Sequence, residues 1–261
     1  MTTFFDIMQY MGKTNYQQEN IKTIERWIKE DDWEWGKPID HETYLKARKG
    51  DYDIVLTPLK PVPHSWLGDL KGKKALGLAS GGGQQMPVLT ALGANCTVFD
   101  LSDMQLASEK LVADREGYDI KIVKGDMTKP LPFEDEEFDI IFSPVSYCYI
   151  EKLEPLFKEC YRILKKGGRY MFGENNGINY ITNDEKEIVN SFPFNPLINE
   201  EQRKSLLEED CGYQFSHTLE ETIGIPLKLG FKLIDMYEDT NGEGRLGELH
   251  IPTYIALLFE K

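Results

Sequence analysis

From Lys74 onward, short apolar runs alternate with stretches of helical spacing. "KALGLA" (74–79), "CTVFD" (96–100), "IKIVKGD" (120–126), "FDIIFSP" (138–144) and "GRYMFGE" (168–174) have the length of buried strands. Helical patterns separate them at 85–93, 103–117 and 153–168. In the first, Pro87 suits the opening turn, where its missing N–H costs nothing, and Gly93 suits the C-terminal cap. The second is expected to place Leu106, Leu111 and Val112 on one face and to end at Gly117. The third lines one side with Leu156, Tyr161 and Leu164. A helix over 217–230 opens on Thr218 and Glu221, a capping-box pair. Two more strand-like runs follow, at 231–238 and 253–261. The segment between them is turn-rich and lacks helical spacing, so these strands are expected to pair antiparallel.

Strands alternating with helices imply βαβ units, hence an α/β, doubly wound sheet that is mostly parallel. Two segments fall outside the alternation. Residues 1–70 contain one helical pattern at about 15–30, the aromatic cluster "DWEWGKPID" and the extended "LTPLKPVPHSW". Residues 175–216 carry "NNGINY", "SFPFNP" and a helical pattern near 200–209. Both have too few apolar positions for a large core of their own. The expected organisation is a domain over 71–261, with 175–216 inserted on its substrate side and 1–70 laid across its ligand site. The aromatics Trp33, Trp35, Tyr180, Phe192 and Phe194 of the two additions are expected to form a lid or wall there.

Composition narrows the function. The 261-residue chain is 41% hydrophobic and carries a formal net charge of −14. That balance repels nucleic acid and favours a small-molecule partner. No apolar run approaches the about 20 residues needed to cross a bilayer. The opening "MTTFFDIMQYMGK" has no basic stretch before its apolar residues, so a secretion leader is not expected. Cys96, Cys148, Cys160 and Cys211 are scattered, with no CxxC and no histidine at zinc spacing. The expectation is free thiols, no metal and a cytoplasmic protein.

The candidate chemistry lies at "LASGGGQQM", between the first strand and the first helix. In open α/β sheets ligands sit at the C-terminal ends of the strands, beside this loop. Glycines let the backbone approach a ligand, and the amides of the helix start favour negative groups. Asp100 ends the second strand and can accept hydrogen bonds from both hydroxyls of an adenosine ribose. Asp126, past the third strand, can accept from the exocyclic amine of adenine, with Met127 beside the ring. A dinucleotide loop would read GxGxxG. Gly81 and Gly83 supply two of its glycines, but Met86 stands at the third, which argues against a nicotinamide-dependent oxidoreductase.

With "LGLASGGG", "VFDLS", "VKGDM", "FDIIFSPVS" and "CYRILKKGGRYMF" in this order, the chain resembles the class I S-adenosylmethionine-dependent methyltransferases. The resemblance is clear over about 70–175 and extends to the small-molecule branch that includes quinone-biosynthesis C-methyltransferases. It implies a Rossmann-like seven-stranded sheet with an antiparallel final strand and helices on both faces. It also implies that S-adenosyl-L-methionine is the cofactor. Ala79, Ser80, Gly81 and Gly83 would contact its methionine part. Asp100 would bind the ribose, Leu101 and Gln105 would lie near the adenine, and Asp126 and Met127 would frame it. Ser143, Pro144 and Val145 would line the cofactor near its sulfonium. The chain departs from the family pattern at Gly77, where an acid is usual, and at Ala79, where a glycine is usual. Gln84, Gln85 or a residue of the N-terminal segment is expected to replace the missing contact.

Methyl transfer from a sulfonium is an in-line displacement that needs chiefly positioning and exclusion of water. Catalytic groups are therefore weakly marked in sequence. The candidates are Tyr147 (or Tyr149) after the fourth strand, Glu174 at the end of the fifth, and His64 in the N-terminal segment. The competing reading from another class is a non-catalytic adenosylmethionine-binding sensor or scaffold.

Overall fold

The computed structural model describes residues 15–30, 33–183 and 185–261. The leader reading of the first residues lies outside them. Seven strands form one sheet: β1 (Lys74–Leu78), β2 (Asn95–Asp100), β3 (Lys121–Lys124), β4 (Phe138–Ser143), β5 (Leu164–Asn175), β8 (Lys232–Asp239) and β9 (Tyr254–Glu260). Their order is β3-β2-β1-β4-β5-β9-β8. The first five run parallel, and β9 pairs antiparallel with both β5 and β8. The minor strands β6 (Thr182–Asn183) and β7 (Glu187–Ile188) make a separate two-stranded ribbon.

Ten α-helices stand among the described residues. N-terminal to the sheet are α1 (Tyr16–Glu30), α2 (His41–Ala47) and α3 (His64–Leu67). The crossover helices are α4 (Gln85–Ala91), α5 (Asp103–Glu116) and α6 (Glu154–Ile163). The insertion carries α7 (Ile178–Ile181) and α8 (Glu200–Glu208), and α9 (Ile225–Leu229) and α10 (Gly244–Glu248) follow. Two apolar clusters sandwich the sheet. One gathers Leu56, Trp66, Met86, Phe142 and Met171, the other Leu76, Phe138, Phe157, Tyr170 and Phe259.

Three helices differ from the sequence expectation. The helix read over 153–168 stops at Ile163, because Leu164 is already extended and pairs with Phe138, and Gly167 (φ +74°) turns the chain toward Lys261. In α5, Leu106 and Val112 are buried, but Leu111 is 56% exposed. Five residues from Leu106, it falls on another face, and Glu109 takes the buried place. The helix read over 217–230 opens with a wide π turn at Glu220–Gly224, ahead of Pro226, whose ring nitrogen cannot donate. Its capping box is present. Thr218 N–H donates to Glu221 Oε2 (2.9 Å) and Glu221 N–H to Thr218 Oγ1 (3.2 Å).

The N-terminal extended segment crosses the C-terminal ends of β4 and β5. Val145 N–H donates to the Leu56 carbonyl (3.1 Å). A side chain at Gly173 would overlap that same carbonyl oxygen, so the crossing needs a glycine in β5.

Candidate active site

The glycine loop leaves β1 at Ala79, whose φ of +47° is a left-handed conformation that an alanine adopts at a cost. Gly82 (φ +96°) and Gly83 (φ +71°) continue the turn in conformations natural to glycine. The loop is tied to the end of β2. Gly81 N–H donates to Asp100 Oδ2 (3.0 Å), Ser102 N–H to Asp100 Oδ1 (2.9 Å), and Gly82 N–H to the Gln105 carbonyl (2.8 Å). Asp100 thus shapes the loop, and each carboxylate oxygen keeps a lone pair for a ligand. Burial pushes its carboxyl above the usual range, and the amides of Ser102, Gly81 and Leu101 pull it partly back.

The departure at Gly77 has a packing cause. A Cβ at Gly77 would lie 2.6 Å from Met86 Sδ and 2.7 Å from its Cγ. Met86 is fully buried and fills the place of both the usual acid and the third glycine. The Gln84 carboxamide donates to the carbonyls of Glu34 (3.0 Å) and Lys37 (2.9 Å), clasping the N-terminal segment onto the loop. Gln85 Oε1 accepts from Ser80 Oγ (3.3 Å).

A cavity of about 560 Å³ opens above the strand ends. On the loop side it is lined by Ala79, Gly81, Gln85, Asp100, Leu101 and Gln105, then by Asp126, Met127, Pro144 and Val145. The sequence expectation therefore converges on one space. Asp126 Oδ1 caps its own turn through Thr128 N–H (2.8 Å) and Oγ1 (2.7 Å), so its structural and ligand-facing roles coexist on two oxygens. Gln105 Oε1 is buried without a partner at this wall. A carboxylate pair, an unpartnered amide oxygen and a loop of close-approach glycines fit an adenosyl cofactor, and the volume is that of a small-molecule site.

Other expected residues lie elsewhere. Ser80 and Gly83 stand behind the lining, and Ser143 turns inward to donate to the Leu78 carbonyl (2.8 Å). Tyr147 is fully buried in the aromatic cluster beneath β5, with its hydroxyl against that of Tyr170; Tyr149, two residues on, lines the cavity instead. The short 3₁₀ turn at 147–149 sends the two rings to different places. Glu174 is fully buried and outside the lining. Its Oε1 accepts from Asn175 N–H (3.0 Å) and Nδ2 (2.8 Å), Oε2 has no partner, and burial pushes its carboxyl well up. His64 is exposed, stacks on Tyr52 (4.1 Å) and hydrogen-bonds the Tyr52 carbonyl, away from the cavity. None of these three touches the space where a methyl acceptor would sit.

Both additions wall the cavity. Trp27, Trp33, Trp35 and Thr57 come from the N-terminal segment, and Tyr180, Phe194 and Gln214 from the insertion. Phe192 instead packs against Gly177 and is 45% exposed. The additions also bind each other. Buried Asn20 on α1 donates from Nδ2 to the Tyr213 carbonyl (2.9 Å) and accepts the Tyr213 N–H (2.6 Å). Tyr16 packs on Tyr213 and Phe215 beside this seam. Asn20, Asn175, Asn179 and Tyr254 were not legible as site residues, because no spacing rule links them; only "NNGIN" directly after a strand signalled the second and third.

Behind the loop, Glu109 is fully buried and neither carboxylate oxygen makes a hydrogen bond. Burial pushes its carboxyl up to about 8. The nearby Gly83 N–H and Tyr118 hydroxyl lower it only partly, neither meeting normal hydrogen-bond geometry.

Comparison with known proteins agrees with this geometry. The family model described as Methyltransferase domain matches residues 76–172. The chain is 38% identical over 217 residues to the uncharacterized methyltransferase YbaJ of Bacillus subtilis (strain 168), covering 80% of this chain and 85% of that protein. It is 31% identical over 103 residues to the sterol 24-C-methyltransferase of Pneumocystis carinii (strain B80), covering 38% of this chain and 27% of that one. Among solved structures, an S-adenosylmethionine-dependent methyltransferase from Mesorhizobium loti superposes with a TM-score of 0.62 at 18% identity, over 76% of this chain and 94% of that chain. With the glycine loop, the strand-end carboxylates and the seven-stranded sheet already in place, these likenesses assign the chain to the class I S-adenosylmethionine-dependent methyltransferases.

Proposed function

We propose that the protein methylates a small, mainly apolar acceptor enclosed between the strand ends and the two additions. The observation that carries this reading is one continuous cavity, running from Asp100 past Pro144 and Val145 to Tyr180 and Phe194. The sterol named in the Pneumocystis carinii relative supports an apolar acceptor. When bound, S-adenosyl-L-methionine supplies an electrophilic methyl group on a sulfonium. Asp100 holds the ribose hydroxyls, Asp126 accepts from the adenine amine, and Gly81 with Ala79 admits the amino-acid end. Pro144 and Val145 bound the reacting space. Trp33 and Trp35 exclude water, while Gln84 holds their segment on the loop. In this reading the described residues of 1–70 and of 175–216 form the cover and 71–261 the catalytic domain. The four cysteines, all unpaired, support residence in the cytoplasm.

Calorimetric titration with S-adenosylhomocysteine tests the cofactor half. A hydrogen bond to a charged group contributes about 1.5–3 kcal/mol. Asp100→Ala should therefore weaken binding at least about tenfold, with Asp126→Asn as an independent second variant. Undiminished binding in both variants would overturn these assignments.

A further inference from the structure

The acceptor half of the cavity holds hydrogen-bonding capacity that the cofactor does not use. Asn179 lines it, and its Oδ1 is buried without a partner. Asn175 lies on the same wall with its carboxamide fixed. Nδ2 donates to Glu174 Oε1 (2.8 Å) and Oδ1 accepts the Gly177 N–H (3.1 Å). One Nδ2 hydrogen of Asn175 is left over. Glu174 thereby fixes the orientation of the Asn175 carboxamide.

Apart from the buried Glu174 carboxyl bonded to Asn175, the side chains around these amides are aromatic. Tyr149, Tyr180 and Tyr254 stand around them. The Tyr180 hydroxyl is engaged by Gln214 Oε1 (2.6 Å), which fixes the ring as a wall. Among the described lining residues there is no lysine, arginine or histidine, and the charged ones are Asp100, Asp126 and Glu209. An anion entering this space loses hydration and gains no cationic partner from these lining residues.

Resting on the methyl-transfer reading above, we propose that Asn179 determines acceptor specificity. The acceptor is an uncharged, aromatic-bodied molecule that presents a hydrogen-bond donor, a hydroxyl or N–H, to Asn179 Oδ1. Asn175 contacts the acceptor's polar group from the other side. Anionic acceptors are rejected.

The test loads the protein with S-adenosylhomocysteine and titrates it with 2-naphthol, 2-naphthylamine, 2-methoxynaphthalene and 2-naphthoate. Leaving a buried acceptor atom unpaired has a penalty equivalent to about tenfold or more in affinity. Naphthol or naphthylamine should bind at least about tenfold tighter than the methoxy probe, with naphthoate weakest. The ratio of the first two distinguishes hydroxyl from N–H. Asn179→Ala and Asn179→Leu should erase the preference and leave S-adenosylhomocysteine affinity unchanged. Equal or tighter binding of the methoxy or carboxylate probe, or no binding of any probe, would overturn the proposal. Failure of S-adenosylhomocysteine itself to bind would instead sink the cofactor reading.

Discussion

Replacing Glu109 by glutamine should flatten the pH dependence of stability. The carboxyl lies fully buried under the glycine loop, and burial raises it from the usual 4.5 to about 8. An acid raised on folding binds more protons in the folded chain than in the unfolded one between those two values. Stability contributed by this group therefore falls as pH rises from about 4.5 to about 8, and is level outside that window. Between pH 5.5 and 7.5 the loss works out to about 2.5 kcal/mol. Glutamine has nearly the same shape and does not titrate. Urea unfolding of both proteins at the two pH values, followed by circular dichroism, gives a difference of differences in which every other titrating group cancels. Wild type should lose about 2.5 kcal/mol more than Glu109→Gln over the interval. Identical losses in the two proteins would show that Glu109 is solvated or partnered in solution, and would refute the argument from burial.

Two further outcomes follow from local geometry. Asn20→Ala leaves the Tyr213 N–H and carbonyl unpaired in a buried seam, so amide exchange at 15–30 and 210–215 should speed up about tenfold or more, while exchange in β1 and β4 stays unchanged. Ala79→Gly should stabilise the protein by about 1 kcal/mol, read as a raised Tm, because the left-handed conformation at φ +47° is strained for alanine. A lowered Tm would place the methyl group of Ala79 in a packing role.

Much of the sheet was legible because each strand announces itself as a short apolar run bounded by turn residues. The glycine loop, Asp100 and Asp126 were legible because strand ends place them on one edge whatever the side-chain packing. Orientation beyond the strand ends was not. Tyr147 and Tyr149 differ only by two positions in a 3₁₀ turn, yet one enters the core and the other the cavity. Glu174 and Asn175 are adjacent, and the asparagine faces the cavity because successive strand residues point to opposite sides. The burial of Glu109 could not be read from its charge, since polar residues on helices are ordinarily solvated. Nor did any local pattern signal the seam, whose partners lie 193 residues apart.

Gly77 and Met86 carry a consequence for how this loop changes over evolutionary time. The sulfur and Cγ of Met86 lie where a side chain at position 77 would begin. An acid at position 77 alone would force a carboxylate against buried thioether, and removing the methionine alone would leave a void beneath the glycine loop. Either single step passes through a damaged protein, so the two positions form a mutational lock. Steric exclusion inside the fold thus makes the residue at one position depend on the residue at the other.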